Sequence, residues 1–192
     1  MSEYESHEYD VVVIGAGGAG LRAAIEAARS GSKTAIICKS LLGKAHTVMA
    51  EGGAAAALGN ADDRDGWKVH FKDTMKGGKY LNNWRMAQIH AQESADRIRE
   101  LEQWGAVFDR TPAGLINQRN FGGHTYPRLA HVADSTGLEI IRTLQEKGIH
   151  SGIDIFMEYT VSHLLQDEDG TCTGCVAYNR VDGAMHAYSA KS

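Results

Sequence analysis

Three short runs hold residues whose types and spacing can do chemistry. The first is Gly15-Ala16-Gly17-Gly18-Ala19-Gly20, with glycines placed for a tight turn and for close approach of bare backbone to an anion. The second is Lys44-Ala45-His46-Thr47-Val48-Met49-Ala50-Glu51-Gly52-Gly53, whose imidazole follows the first run by 26 residues. The third is Phe121-Gly122-Gly123-His124, a glycine-bounded loop of the kind that carries ligands. By residue type, His46 is either a satisfied structural histidine or one that contacts a ligand; Thr47, Glu51 and the nearby glycines favour the ligand. Gly52-Gly53 brings backbone amides close to something planar or anionic.

The elements around the first run are those of a β-α-β unit. Tyr9 to Ile14 reads as a fully buried strand, β-branched and without a polar interruption after Asp10. A helix follows the glycines, with Leu21, Ala24, Ile25 and Ala28 on one stripe and Gly31 as its stop. Gly15 permits the turn, Gly17 admits a pyrophosphate, and Gly20 lets helix pack on sheet. The helix N-terminus would receive the phosphates. Thr34 to Cys38 supplies the second strand. Motif and context together identify a dinucleotide cofactor and leave the reaction open. The second strand ends in Cys38-Lys39-Ser40 where an acid is usual, which argues against a plain NAD site. Ser40 suits the ribose and Lys39 a phosphate or solvent, while Glu26 reads as part of a solvated helix face.

Farther along, Ala54 to Leu58 reads as a short helix, and Asp62 to Lys76 and Asn83 to Trp104 as longer ones. The last of these carries Met86, Ile89, His90, Ile98, Leu101 and Trp104 on its apolar side, and Gly105 ends it. A hairpin is expected about Thr111 to Gly114. Arg128 and His131 fit a ligand-bearing loop or a local charge network equally well. A helix from Ser135 to Lys147 then precedes strands at 153–157, 160–165, 173–179 and 184–188.

The chain has 192 residues, 43% of them hydrophobic, with 22 glycines and two prolines, a globular composition. A net charge of -4 gives no case for nucleic acid. No apolar run approaches ~18 residues, so no membrane-spanning segment is expected, and the polar segment MSEYESHEYD has no secretion-signal zones. Three cysteines make no disulfide framework; Cys172-x-x-Cys175 sits alone in an alternating strand and reads as structural, so no metal site is expected.

With GAGGAG, KAHTVMAEGG, DTMKGG and QRNFGGH in this order, the chain resembles the flavoprotein subunit of succinate dehydrogenase and fumarate reductase over essentially its whole length. The resemblance implies an α/β, Rossmann-like FAD-binding domain, the N-terminal portion of a larger multi-domain flavoprotein. It implies FAD held by Gly15, Ala16, Gly17, Gly18, Ala19 and Gly20, with covalent 8α-histidyl attachment at His46. Lys39 and Ser40 match the segment near the FAD adenosine, and Thr47, Ala50, Glu51, Gly52 and Gly53 the segment along the ribityl chain and ring. Tyr159 and Thr160 match the stretch whose backbone approaches the adenine, while Phe121 and Gly53 fall on the dicarboxylate side.

The same resemblance divides the domain into a β-α-β unit at 9–38, a flavin-attachment loop at 39–60, a helical and substrate-side insertion at 61–150 and further sheet strands at 151–192. Capping and C-terminal domains are expected to be absent. The implied activity is succinate oxidation to fumarate, with electrons passing to quinone through two kinds of partner, an iron–sulfur subunit with its clusters and a membrane anchor. The alternatives are fumarate reduction and a catalytically incomplete FAD-binding fragment. The implied location is the cytoplasmic face of a bacterial membrane, through those partners. No catalytic residue is assigned in this chain, because the acid/base arginine is expected beyond residue 192. Lys44-Ala45-His46-Thr47 replaces the commoner Arg-Ser-His-Thr and suggests an actinobacterial-like branch. His46 argues against L-aspartate oxidase, which is similar in fold but holds FAD noncovalently.

Overall fold

The computed structural model describes residues 4–192; the first three residues of the polar N-terminal segment lie outside them. The elements in chain order are β1 (Glu5–Glu8), β2 (Val11–Ile14), α1 (Gly18–Arg29), β3 (Thr34–Cys38), a 3-10 turn (His46–Met49), β4 (Ala54–Ala55), α2 (Trp67–Gly77) and α3 (Trp84–Gln103). They continue with β5 (Gln118–Arg119), β6 (Leu129–Ala130), α4 (Thr136–Ile149), β7 (Asp154–Met157), β8 (Tyr159–Gln166), β9 (Cys172–Asn179) and β10 (Met185–Ser189). The chain divides into two compact units, one running up to Thr47 and resuming as Leu144–Ser192, the other Val48–Thr143.

The first unit holds an all-parallel sheet in the order β2-β3-β7 and a mixed sheet in the order β1-β10-β9-β8. β3, with the sequence TAIIC, is the central strand and is buried at all five positions. A central parallel strand is covered on both faces, which suits a short run of small and apolar side chains. β2 departs from the expectation of full burial: it is shorter, lies at the edge of its sheet, and Ile14 is 50% exposed. α1 buries Leu21, Ala24 and Ile25, begins at Gly18 inside the glycine run, and is followed by Gly31 in the left-handed region at φ 87°. Ile37, Cys175, Ala177 and Tyr188 form a buried cluster, joined by Phe156 and Tyr159. β1 has no apolar alternation and was not expected as a strand; its parallel ladder to β10 forms it.

The second unit has a small antiparallel sheet in the order β4-β6-β5 and the helices α2 and α3. Its core gathers Ala56, Ile98, Ala106, Phe108, Ile116 and Ala130. The helix expected at Ala54 to Leu58 is not formed. Ala54 and Ala55 pair with Ala130 and Leu129, and the Ala56 amide donates to the Arg128 carbonyl at 2.9 Å. Pairing within a buried sheet outweighs the helical preference of alanine. α2 begins at Trp67, later than expected, because Asp62 accepts hydrogen bonds from Arg64 in a turn of its own. Asn83 caps α3 by accepting from the amides of Arg85 and Met86. The inward face of α3 also differs from expectation: Ala87, Ala91, Ser94 and Ile98 are buried, whereas Met86 is 61% exposed. Small residues let this helix lie close to its neighbours, and α2 is the chief of them. The expected hairpin is present as an antiparallel bridge between Arg110 and Ile116.

Candidate cofactor site

In the first unit, the end of β2, the start of α1 and the end of β3 surround a cleft of about 330 Å³. Gly15, Ala16, Gly17, Lys39 and Ser40 line it, all five expected from the sequence, and Lys44 and Arg180 line it as well. Gly15 takes φ 108°, and its amide donates to the Ile37 carbonyl at 2.8 Å, fixing the turn to β3. A Cβ on Gly20 would sit 1.9 Å from the Gly15 carbonyl oxygen, so this glycine is required by the protein's own backbone. A Cβ on Gly17 would meet nothing nearer than 3.7 Å, leaving space on the cleft side of the helix start. No side chain caps α1 from Gly17. The Gly18 amide donates to Thr47 Oγ1 at 3.1 Å, so one first-turn donor is taken by the protein itself. Ala19 lies exposed within α1.

That hydrogen bond also places His46. Its neighbour Thr47 is tied to the glycine turn, and His46, exposed, opens the 3-10 turn. Arg180 belongs to the turn between β9 and β10; its amide donates to the Glu158 carbonyl and its Nη1 to the Lys39 carbonyl, each at 2.8 Å. The cleft thus combines helix-start amides, the three cationic residues Lys39, Lys44 and Arg180, and Ser40, a donor set suited to a diphosphate and its ribose. Tyr159 and Thr160 do not line this cleft. Tyr159 Oη instead lies 3.4 Å from His186 Nε2 and accepts from Asn179 Nδ2 at 3.4 Å, while the adjacent Glu158 amide donates to the Ser40 carbonyl.

In the second unit, residues 50–52 are held by their carbonyls. The Gly137 amide donates to Ala50 at 2.7 Å, Arg119 Nη2 to Glu51 at 2.5 Å, and Arg119 Nε to Gly52 at 2.9 Å. Gly53 takes φ 116°, and a Cβ there would come within 2.9 Å of the Ala130 carbonyl oxygen. The Phe121 ring lies 3.6 Å from the point where a side chain on Gly52 would begin, which joins two of the three runs. Phe121 is otherwise 60% exposed. Arg119, the positioning residue of this loop, was not anticipated; the Gln-Arg pair just before the FGG run was its only local signal.

Arg128 and His131 are members of local charge networks. Arg128 is wholly buried, with Nη2 at 2.8 Å from Asp65 and 2.9 Å from Asp73. Asp73 also accepts from the Thr125 amide and hydroxyl, at 2.8 and 2.7 Å. Burial works to raise the Asp73 carboxyl, but these bonds and Arg128 outweigh it and hold it below the usual range. Burial raises Asp65 despite Arg128. Burial first, then the Arg128 charge and the nearby His90 and His124, depress His70 to about 4. His131 Nδ1 lies 2.8 Å from Asp109.

The FAD binding domain family matches residues 10–192. The chain belongs to that family of FAD-binding domains. Within it, sequence and structure match the flavoprotein subunits of succinate dehydrogenase and fumarate reductase. The succinate dehydrogenase flavoprotein subunit of Rickettsia conorii is 42% identical over 192 residues, covering 96% of this chain and 32% of that protein. A fumarate reductase (CoM/CoB) subunit of Methanothermobacter marburgensis is 42% identical over 191 residues, covering 99% and 35%. Among solved structures, Mycobacterium smegmatis Sdh1 in complex with UQ1 superposes with a TM-score of 0.94 at 57% identity, covering 97% of this chain and 33% of that one. This FAD-binding domain therefore spans about a third of the length of the relatives it matches. Its fold is the α/β, Rossmann-like arrangement implied by the glycine run, and no helix among the described residues is long and apolar enough to cross a membrane.

Proposed function

We propose that this chain is the FAD-binding part of a succinate dehydrogenase flavoprotein subunit, with the flavin bonded through its 8α carbon to the imidazole of His46. The observation that carries the reading is the Gly18 amide to Thr47 hydroxyl hydrogen bond at 3.1 Å, which fastens the histidine segment to the dinucleotide turn. Free space beside Gly17 and the cations Lys44 and Arg180 on the same cleft support a diphosphate there. Lys39 and Ser40 would serve the adenosine side; Ala50, Glu51, Gly52 and Gly53, with the Glu51 and Gly52 carbonyls held by Arg119, would serve the ribityl and ring side. Phe121 and Gly53 would face the dicarboxylate. Bound flavin supplies two-electron redox chemistry, and the chain's own part is to hold and orient it.

The activity is proposed for the whole protein: succinate is oxidised to fumarate, and electrons leave through an iron–sulfur subunit, then the membrane anchor, to quinone. The location that follows is the cytoplasmic face of the membrane, held there by those partners. Fumarate reduction is a second reading, favoured by the Methanothermobacter marburgensis fumarate reductase relative at 42% identity. Acid precipitation of the purified protein tests the tether. Yellow fluorescence is expected to stay with the polypeptide and to move to the supernatant in His46→Ala. Complete release from the unaltered protein would sink the assignment.

A further inference from the structure

The mixed sheet of the first unit carries a side-chain cluster that the cofactor cleft does not use. β1 runs parallel to β10, with Glu5 opposite His186 and His7 opposite Tyr188. Side chains alternate along a strand, so Glu5, His7 and His186 share one face. His7 Nε2 stands 3.0 Å from His186 Nδ1. One Glu5 oxygen is 3.5 Å from His7 Nε2, and the other is 3.8 Å from His186 Nδ1. Donors around a tetrahedral zinc ion, at bond lengths of about 2.0–2.1 Å, stand about 3.3–3.4 Å apart. The two ring nitrogens stand a little closer than that, each Glu5 oxygen stands a little farther from the ring it approaches, and one ligand atom from each residue lies within 4.8 Å of the others, so a small carboxylate rotation brings the three donors to that spacing.

Two further features match a metal site. Both imidazoles are fixed by their neighbours: His7 stacks on Tyr188 at 4.8 Å and meets Phe156 edge-on at 5.0 Å, and His186 meets Tyr159 edge-on at 4.8 Å. Tyr159 Oη stands 3.4 Å from His186 Nε2, the nitrogen turned away from the cluster. A proton on Nε2 directed at that oxygen leaves the Nδ1 lone pair free for the cluster, the usual way an outer partner sets the tautomer of a ligating histidine. His186 is buried and Glu5 exposed, so the carboxylate can adjust its rotamer.

We propose that Glu5, His7 and His186 bind a divalent ion of the zinc type, completed by water. Two imidazoles and one carboxylate suit zinc and its late first-row neighbours better than magnesium or calcium, which take oxygen ligands. Without the ion, one imidazole N–H donates a hydrogen bond to the other ring. With it, His7 carries its proton on Nδ1 and offers the Nε2 lone pair; both rings stay neutral and nothing is oxidised or reduced. The ion pins β1, an edge strand with the polar sequence ESHE, to β10.

The test is titration of zinc against a chromogenic chelator, using the flavin-loaded protein prepared without a histidine tag. One equivalent is expected to bind, with affinity reduced at least about tenfold in His7→Gln, in His186→Gln and in the exposed Glu5→Gln. Glu5→Gln keeps the comparison open where a histidine variant fails to fold. Cobalt(II) in place of zinc is expected to give the intense visible absorption of a four-coordinate site. Absence of a bound equivalent, or binding that all folded variants leave unchanged and so marks an adventitious surface ion, overturns the proposal.

Discussion

Gly17 and Gly20 lie one helical turn apart in the same motif and are glycine for different reasons. At Gly20 the constraint is internal, because a Cβ would press to 1.9 Å of the Gly15 carbonyl oxygen, and backbone cannot swing aside as a side chain can. At Gly17 a Cβ meets nothing within 3.7 Å and φ is -77°, so the protein alone would accept alanine. Gly20→Ala should therefore cost at least about 1–3 kcal/mol, the usual range for overpacking, read as a lower urea midpoint. Gly17→Ala should leave that midpoint nearly unchanged while weakening ADP binding in calorimetry, since the methyl would occupy the space proposed for the diphosphate. Equal urea midpoints for the two variants would refute the distinction. The motif's spacing makes Gly15, Gly17 and Gly20 visible in the sequence, but only the packing around them separates the one the fold needs from the one a ligand needs.

Elements built on local periodicity were legible, and those built on distant partners were not. β3 and α1 could be placed because apolar spacing and glycine punctuation act over a few residues. β1 escaped because its polar sequence becomes a strand only against β10, far along the chain. Ala54 to Leu58 looked helical until β6 offered it a partner. On α3, burial follows small residues that let the helix approach, not the largest apolar ones, so apolar spacing alone points to the wrong face. The same limit applies to the buried network on α2: nothing near His70 or Asp73 announces Arg128. That network has a pH signature. His70 is depressed to about 4 by burial, then by Arg128, His90 and His124, with only Asp73 opposing, whereas an unfolded imidazole titrates near 6.5. Between those values the unfolded chain takes up a proton that the folded one refuses. Stability is therefore present above pH 6.5 and is lost as pH falls toward 4, by up to about 3 kcal/mol from this residue. Urea unfolding of wild type and His70→Gln at pH 7 and pH 4.5 should show the wild type losing more on acidification. Parallel losses would remove His70 from the account.

For the whole molecule, the cleft and the tether contribute separately to the proposed reaction. The cleft is formed by backbone and by Lys39, Ser40, Lys44 and Arg180, none of which depends on the His46 side chain. His46→Ala should consequently still bind FAD, noncovalently, and still fold. What it should lose is potential, because the covalent bond proposed here raises the flavin's affinity for electrons and succinate is a weak reductant. For a two-electron couple, each fall of ~30 mV shifts the equilibrium about tenfold against succinate oxidation. The same fall makes reduced flavin a better donor to fumarate. Succinate oxidation by the whole protein with its partner subunits should thus drop tenfold or more in His46→Ala, while fumarate reduction drops far less. Spectroelectrochemical titration of the bound flavin should report a correspondingly lower midpoint. An unchanged midpoint with both directions impaired equally would mean that His46 acts in holding the ring in place, and the link from tether to direction would be wrong.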